Sequence, residues 1–226
     1  MIRLSLLTAA LVLLLSGCVT SRVEESRTAT TGMKAGDALV ILGRASYNDH
    51  ETEKSFTKCI ANALSSGRKP IRLVRGQKFK DELYPWFEPR TAPTSAKELG
   101  SLFKKPGVED RIRKSHIRYL AWIDGDTRTT NKGGSLSCTI STIGGGCFGM
   151  SYWEQDANYE ASIWDLQNLT AAGKISADAN GTSYVAGLII PIPIVARPGN
   201  AACHSLATQL KVFLKDDKET GDKAGA

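Results

Sequence analysis

The sequence predicts an α+β fold: a mixed β-sheet with an N-terminal βαβ unit, antiparallel hairpins and a C-terminal helix packed on one face. Three observations predict this class. Two short apolar runs flank a helical apolar stripe near the start of the domain, and a second helical stripe closes it. Between the stripes, segments alternate apolar and polar residues, which is typical of half-buried antiparallel strands. Such an order of elements builds layers around one core.

The chain begins with the pattern of an exported lipoprotein. Residues 1–17 carry one basic residue, an apolar run and then small residues, which predicts a signal peptide. The run is too short for a membrane-spanning helix, which needs about 20 residues. Leu15-Ser16-Gly17-Cys18 matches a lipobox, so we expect Cys18 to carry diacylglycerol and palmitate. The alternative is an ordinary signal peptide with an incidental cysteine. In lipoproteins of this type an Asp after the cysteine often signals retention in the inner membrane. Val19 stands at that position here, so the resemblance implies the outer membrane, with the protein facing the periplasm.

The rest of the chain divides into a tether, a domain and a tail. Residues 18–36 are polar and without period, which predicts a lipidated N-terminus and flexible tether. Residues 37–214 are expected to form a single α+β periplasmic domain, which is long enough for a sizeable core. Residues 215–226 are charged and rich in Gly and Ala, so a disordered tail is predicted. Export excludes cytosolic enzymes and nucleic-acid partners.

The first strands and helix follow from their apolar periods. Residues 38–42 and 71–74 form apolar runs suited to strands. A helix is predicted over residues 50–65, where one face carries Phe56, Cys59, Ile60, Ala63 and Leu64. Gly67 ends this helix, because glycine adopts the left-handed conformation without a steric penalty. We therefore expect a βαβ unit with a right-handed crossover.

The remaining elements are short helices, four strands and a terminal helix. Prolines break residues 76–116 into short helical pieces, and residues 117–124 form the next strand. Three more strands are predicted, at about 136–142, 150–166 and 173–180. A helix over residues 201–214 closes the domain. Its apolar face comprises Cys203, Leu206, Leu210 and Phe213.

Four cysteines remain once Cys18 carries lipid, and an even number in the periplasm predicts two disulfides. Four cysteines allow three pairings. The sequence favours the pairing that contains Cys138–Cys147, which flank a Gly-rich turn. Cys59 and Cys203 lie on apolar helix faces and can pair if the two helices are neighbours. The alternative for Cys59 and Cys203 is a pair of buried free thiols. Cysteines and histidines lack the close spacing of a zinc site, so no metal is predicted.

No sequence pattern predicts catalysis or a cofactor. Residues 144–149 fit G-x-G-x-x-G, but no helix-opening pattern follows, so we expect a hairpin turn there. Asp124-Gly125-Asp126 is interpreted as a polar turn, since further oxygen ligands for a cation are not evident nearby. His50, His116 and His204 are isolated, and the G-x-S-x-G of serine hydrolases is absent. A non-enzyme is expected, with an envelope hydrolase of dispersed catalytic residues as the alternative.

Two apolar segments are candidate partner surfaces. Residues 83–89 combine three aromatic residues with two prolines, and residues 188–195 alternate isoleucine with proline, which excludes a central strand. Each segment is either a lid on the core or an exposed patch for a partner or bilayer. The candidate residues are Tyr84, Trp86, Phe87, Ile190, Pro191, Ile192 and Pro193. Basic residues also crowd 68–80 and 111–118, where the alternatives are an anion-attracting surface and a solvated face.

The order of these segments resembles that of two related envelope domains. Arg118–Asp124 is a strand that ends in aspartate, and Glu160–Leu166 is a second one, followed by Gly173-Lys174-Ile175 and the terminal helix. This layout over residues 38–214 is similar to the periplasmic domain of the curli-secretion lipoprotein family and to the N-terminal domain of the Tol-system protein. The resemblance implies a non-catalytic binding or assembly module.

The sequence therefore predicts a lipid-anchored envelope lipoprotein that binds a periplasmic or outer-membrane protein and assists envelope biogenesis or secretion. A second alternative, beside the hydrolase, is a subunit of a membrane-inserted secretion complex that inserts residues 188–195.

Overall fold

The structure, a computed structural model, describes residues 19–44, 51–67, 69–88, 90–142 and 144–215. Its strands are β1 Val19–Arg27, β2 Leu39–Gly43, β3 Leu73–Val74, β4 Tyr119–Ser141, β5 Gly144–Asp165 and β6 Thr170–Ile194. They form one sheet in the order β1-β6-β5-β4-β2-β3. Its helices are α1 Lys54–Ser65, α2 Gly76–Glu82, α3 Ala96–Phe103, α4 Val108–Lys114 and α5 Pro198–Phe213. The predicted α+β class is confirmed.

The N-terminal βαβ unit is present as predicted. Strand β2 is parallel to β3, with Leu39 opposite Leu73, and parallel to β4, with Leu39 opposite Tyr119. Helix α1 connects β2 to β3. Gly67 follows the helix with a φ of +85°, the left-handed conformation expected of a residue that ends a helix.

Strands β4, β5 and β6 are longer than the sequence predicts. The polar turn expected at residues 124–126 lies within β4, which runs on to give a strand of 23 residues. Strand β5 has 22 residues and β6 has 25. Residues 128–132 are all exposed, so this part of β4 has no alternation of apolar and polar residues. Because a half-buried strand is recognised in a sequence by that alternation, the extension of β4 was not predicted.

The predicted tether is wrong for residues 19–27, which form β1. The backbone N–H of Thr28 donates to the carbonyl oxygen of Ala172 at 2.9 Å. Nearer the start of β1, the Thr20 hydroxyl donates to the side-chain oxygen of Asn180. The partner number rises as the β1 number falls, so β1 is antiparallel to β6. The predicted signal peptide, the lipidation site Cys18 and residues 216–226 lie outside the described residues.

Two compact units can be distinguished. The first, called the core unit, comprises Arg22–Asp126, Asn158–Asp178 and the described chain from Ala202. The second, called the strand unit, comprises Thr127–Ala157, Ala179–Ala201 and the described residues up to Ser21. The sequence predicts one domain over residues 37–214, whereas the strands β4, β5 and β6 each contribute residues to both units.

Helices cover both faces of the sheet within the core unit. The ring of Phe56 in α1 stacks on Tyr159 of β5, with ring centroids 3.4 Å apart. Phe103 of α3 packs edge-on against Trp164 of the same strand, with centroids 5.5 Å apart. Because positions 159 and 164 are an odd number of residues apart, their side chains lie on opposite faces. The predicted apolar face of α5 is fully buried.

Both predicted disulfides are present. Cys59 of α1 is bonded to Cys203 of α5, which joins two helices 144 residues apart in the chain. Cys138 of β4 is bonded to Cys147 of β5, with Cα atoms 4.0 Å apart. The alternative of buried free thiols at Cys59 and Cys203 is therefore wrong.

Candidate binding surface

The candidate catalytic groups of the sequence do not meet in the described structure. Asp124 accepts two hydrogen bonds from Nη1 of Arg44, each 3.1 Å long, and so belongs to an ion pair. His116 and His204 are exposed, and neither is a lining residue of three pockets that described residues of the core unit form. Within the described chain, no group of three or more His, Cys, Asp or Glu is placed to hold a metal ion. His50 lies outside the described residues.

The Gly-rich segment belongs to a hairpin. Residues 144–149 are the start of strand β5, and strand rather than helix follows them. A dinucleotide site needs a helix N-terminus directly after the glycines. The Cys138–Cys147 disulfide links this segment to β4, in agreement with the predicted hairpin.

The aromatic segment divides between core and surface. Leu83 and Phe87 are buried in the apolar cluster of the core unit. Trp86 is half-buried, and the ammonium of Lys105 lies 4.1 Å from the centre of its indole ring. Tyr84 is 62% exposed. The segment therefore serves mainly as a lid on the core, and of its three candidate residues Tyr84 is the one open to solvent.

The proline–isoleucine segment is exposed. Ile190 and Ile192 are among the exposed apolar residues of the chain, and Pro191 and Pro193 are exposed beside them. The segment forms the end of β6, beyond the described part of β1.

The chain reverses direction within this segment. An extended strand rises about 3.3 Å per residue, so a straight course from Ser183 to Ala196 would separate them by about 43 Å. The backbone N–H of Ala196 nevertheless donates to the hydroxyl of Ser183 at 3.0 Å. Ile189 has a φ of +95°, a conformation that β-branched residues rarely adopt. We place the reversal there, so the residues after Ile189 form a returning arm.

Exposed apolar side chains are concentrated in the strand unit. Among the described residues, ten large hydrophobic side chains are exposed, and eight of them belong to this unit. Tyr84 and Val212 are the two that belong to the core unit. The eight define what is called the uncharged surface: Ile140, Phe148, Met150, Tyr184, Ile189, Ile190, Ile192 and Val195.

The uncharged surface lies in two stretches of sequence that contain no charged residue. Residues 133–153 and 179–196 contain no Asp, Glu, Lys, Arg or His, although 23% of the chain is charged. All eight residues of the surface lie within these two stretches. A group of exposed apolar residues without charges differs from the solitary apolar residues that most protein surfaces carry, and it makes this surface a candidate interaction site.

Contacts between the strands bring the two stretches together. A Cβ placed on Gly146 would lie 3.5 Å from the Phe148 ring and 3.6 Å from Cα of Ile189. A Cβ on Gly187 would lie 2.5 Å from Cδ1 of Leu136 and 2.9 Å from the carbonyl oxygen of Cys147, so β6 passes close to β4 and β5 at this position. The Tyr152 and Tyr184 rings lie 6.4 Å apart. The exposed residues of the two stretches are therefore neighbours on adjacent strands, and they occupy both faces of these strands: Ile140 lies on the face of the Cys138–Cys147 disulfide, and Phe148 lies on the other face.

A basic pocket of about 550 Å³ opens in the core unit. Its charged lining residues are Lys34, Asp37, Lys69, Arg72, Lys211 and Lys215. Arg72 donates to the carbonyl oxygen of Gly36 at 3.0 Å, and Lys211 donates to that of Ser66 at 2.7 Å. Part of the positive charge is thus used to hold the pocket wall. The pocket can attract an anion, but its cations are spread around an open rim.

Sequence reasoning found one part of the uncharged surface and missed the other. An exposed patch was one of the two alternatives for residues 188–195. The structure agrees with it, because the four candidate residues there are exposed: Ile190, Pro191, Ile192 and Pro193. The contributions of β4 and β5 were not predicted, because Ile140, Phe148 and Met150 are isolated among Gly, Ser and Thr. The signal that could have found them is the long stretch without charge. No helix of the described chain has both the length and the apolarity to cross a membrane.

No family model matches this chain, and neither does any curated protein. Solved structures to which it is similar include two PelC dodecamers from Paraburkholderia phytofirmans. A leucine-to-methionine variant of PelC is 17% identical to this chain, with a TM-score of 0.37. PelC in a second crystal form is 16% identical, with a TM-score of 0.36. Each comparison covers 88% of this chain and 99% of the PelC chain. A putative neuraminyllactose-binding hemagglutinin homolog from Helicobacter pylori is 11% identical, with a TM-score of 0.39 and coverage of 88% and 95%. The resemblance to the curli-secretion and Tol-system domains stays a prediction.

Proposed function

We propose that this chain is a non-catalytic binding module of the bacterial cell envelope, anchored by lipid on Cys18 and facing the periplasm from the outer membrane. The uncharged surface is its binding surface. The observation that carries this proposal is the concentration of exposed apolar side chains in two stretches without charge. Water around these side chains is released when they meet another apolar surface, and this release drives the binding.

Four charged residues of the core unit support binding rather than catalysis, because they have structural partners. Arg118 and Asp165 form an ion pair of 2.8 Å. The other oxygen of Asp165 accepts the backbone N–H of Gln167 at 2.9 Å, which stabilises the turn between β5 and β6. Arg44 and Asp124 form a second ion pair, which links the end of β2 to β4. These carboxylates hold neighbouring segments together.

The lipid anchor predicts a simple labelling result. Cells that express the wild-type chain are expected to incorporate palmitate into it, and Cys18→Ala is expected to abolish the label, because the thiol of Cys18 is the attachment atom. Metabolic labelling followed by immunoprecipitation measures this. The double variant Cys138→Ala/Cys147→Ala is the matched control, since it removes two thiols that are bonded to each other and leaves no unpaired thiol behind. Label that persists in Cys18→Ala contradicts the anchor.

The binding surface is tested by crosslinking in cells. A photoreactive amino acid at Ile190 or Ile140 is expected to give crosslinked products, to protein or to lipid, in several-fold higher yield than one at Tyr84 or Val212. The four positions are all exposed, but the last two lie outside the uncharged surface. Equal yields at the four positions, or no product from Ile190 and Ile140, would overturn the proposed function.

A further inference from the structure

We infer that the partner of the uncharged surface is the lipid bilayer that carries the Cys18 anchor. The inference rests on the proposed function and names the partner of the same surface. It follows from the place where the anchor leaves the fold and from the chemistry of the eight exposed residues.

The anchor is attached directly to the strand unit. Cys18 precedes Val19 in the chain, and consecutive Cα atoms are only about 3.8 Å apart. Val19 is already the first residue of β1, and the side chain of the next residue, Thr20, is hydrogen-bonded to Asn180 of β6. Asn180 is the second residue of the charge-free stretch 179–196. No flexible spacer therefore separates the lipid from the unit that carries the uncharged surface.

A short attachment changes what the surface can reach. A free tether of eighteen residues would let the protein sample a radius of about 25 Å, by the square-root law for flexible chains. An anchor joined to β1 instead holds the strand unit at the bilayer. Contact of the uncharged surface with lipid then becomes an intramolecular event, which raises its effective concentration. A lipid anchor and an apolar surface on the same unit reinforce each other in this way.

The composition of the surface suits lipid. Charged groups are expensive to place in a bilayer, and residues 133–153 and 179–196 have none. Unpaired backbone N–H groups are also costly in lipid. The returning arm is exposed, and Pro191 and Pro193 have no N–H to leave unpaired. The side chains between them, Ile190 and Ile192, are apolar and exposed.

The basic clusters at residues 68–80 and 111–118 could also bind a membrane, but binding through them would depend differently on salt and on lipid charge. Lysine and arginine attract anionic headgroups, and salt screens this attraction within about 10 Å at 0.1 M. Binding through the uncharged surface needs no anionic lipid and does not weaken with salt. The two routes can therefore be separated with neutral vesicles.

The test uses the mature chain with Cys18→Ser, so that no acyl chain contributes, and with both disulfides formed. We expect it to float with neutral phosphatidylcholine vesicles, equally at low and high NaCl. Replacing Ile190 and Ile192 together by glutamate is expected to weaken the partition coefficient by at least roughly tenfold, since apolar burial is lost and charge is introduced. The matched controls Tyr84→Glu and Val212→Glu place the same charge on exposed apolar positions outside the surface and are expected to float like the parent.

A fluorescent reporter gives a second measurement. Ile190→Cys and Tyr84→Cys, each labelled with an environment-sensitive dye in the Cys18→Ser chain, are compared with vesicles of brominated lipid. We expect quenching at position 190 and none at position 84. Thermal unfolding of every variant confirms that it is folded before it is compared.

Three outcomes overturn the inference. Absence of flotation with neutral vesicles, or flotation that requires anionic lipid and disappears at high salt, excludes the uncharged surface as the lipid contact. Equal loss in the Tyr84→Glu control excludes a specific surface. If Ile190 crosslinks to a protein in cells and the chain does not float, the bilayer is not the partner of the uncharged surface, but the proposed function is still supported. Absence of every crosslink from Ile190 and Ile140 overturns the function itself.

Discussion

Replacing Cys59 and Cys203 together by alanine is expected to lower the free energy of unfolding by about 4–5 kcal/mol. The disulfide closes a loop between residues 144 positions apart, and a cross-link across so long a loop removes much of the conformational entropy of the unfolded chain. Cys203 is fully buried on the apolar face of α5, so the bond also ties the last helix to α1. Urea denaturation of the oxidised chain and the double variant measures the difference.

The second disulfide is the matched control for the first. Cys138 and Cys147 are only 9 positions apart, and the same entropy relation gives about 2–3 kcal/mol for their replacement by alanine. The two double variants are therefore expected to differ by about 2 kcal/mol. Equal losses would contradict the loop-length explanation and would attribute the stabilisation to contacts in the folded state.

Gly125→Ala is expected to destabilise the core unit by roughly 3 kcal/mol or more. Gly125 has a φ of +138°, which L-residues rarely adopt. A Cβ there would lie 2.1 Å from the carbonyl oxygen of Asn158 and 2.7 Å from Cα of Tyr159. Both atoms are backbone atoms of the neighbouring strand, so β4 and β5 must separate, and strain and overpacking add. The midpoint of urea denaturation measures the loss.

Gly36→Ala separates the two causes. Gly36 has a φ of +95°, but a Cβ there would meet no atom within 4 Å. Its replacement is expected to cost about 1–2 kcal/mol from backbone strain alone. If Gly125→Ala costs no more than Gly36→Ala, close approach of the strands is not what requires glycine at position 125.

The sequence predicted one part of the uncharged surface and not the other. Residues 188–195 were recognised as a candidate patch because Pro and Ile alternate there, a pattern that a paired central strand does not tolerate; the reversal at Ile189 was not predicted. Phe148 and Met150 gave no such pattern. They join the surface because β5 lies beside β6, and the Cβ position of Gly146 shows how closely Phe148 approaches Ile189. Such neighbours are set by pairing between residues about forty positions apart, which no local period reports.

The local sequence determined the elements whose side chains are buried. Phe56, Ile60 and Leu64 recur at helical spacing and define α1, as Leu206, Leu210 and Phe213 define α5. The apolar run 38–42 defined β2. The cysteines on these helices and beside the Gly-rich turn indicated both disulfides. In each case the pattern records burial directly, because an apolar face must meet the core.

The tertiary structure alone decided the exposed strands. Residues 19–27 read as polar tether, and residues 128–132 show no alternation, yet the former lie in β1 and the latter in β4. Most of their side chains are exposed, and in β1 only Val19 and Val23 are partly buried, so burial produces no alternating apolar pattern in the sequence. Their backbone groups pair with strands that are distant along the chain, as Thr28 does with Ala172. Any residue except proline can donate a backbone hydrogen bond of this kind. The identity of the side chain therefore does not predict which strands pair.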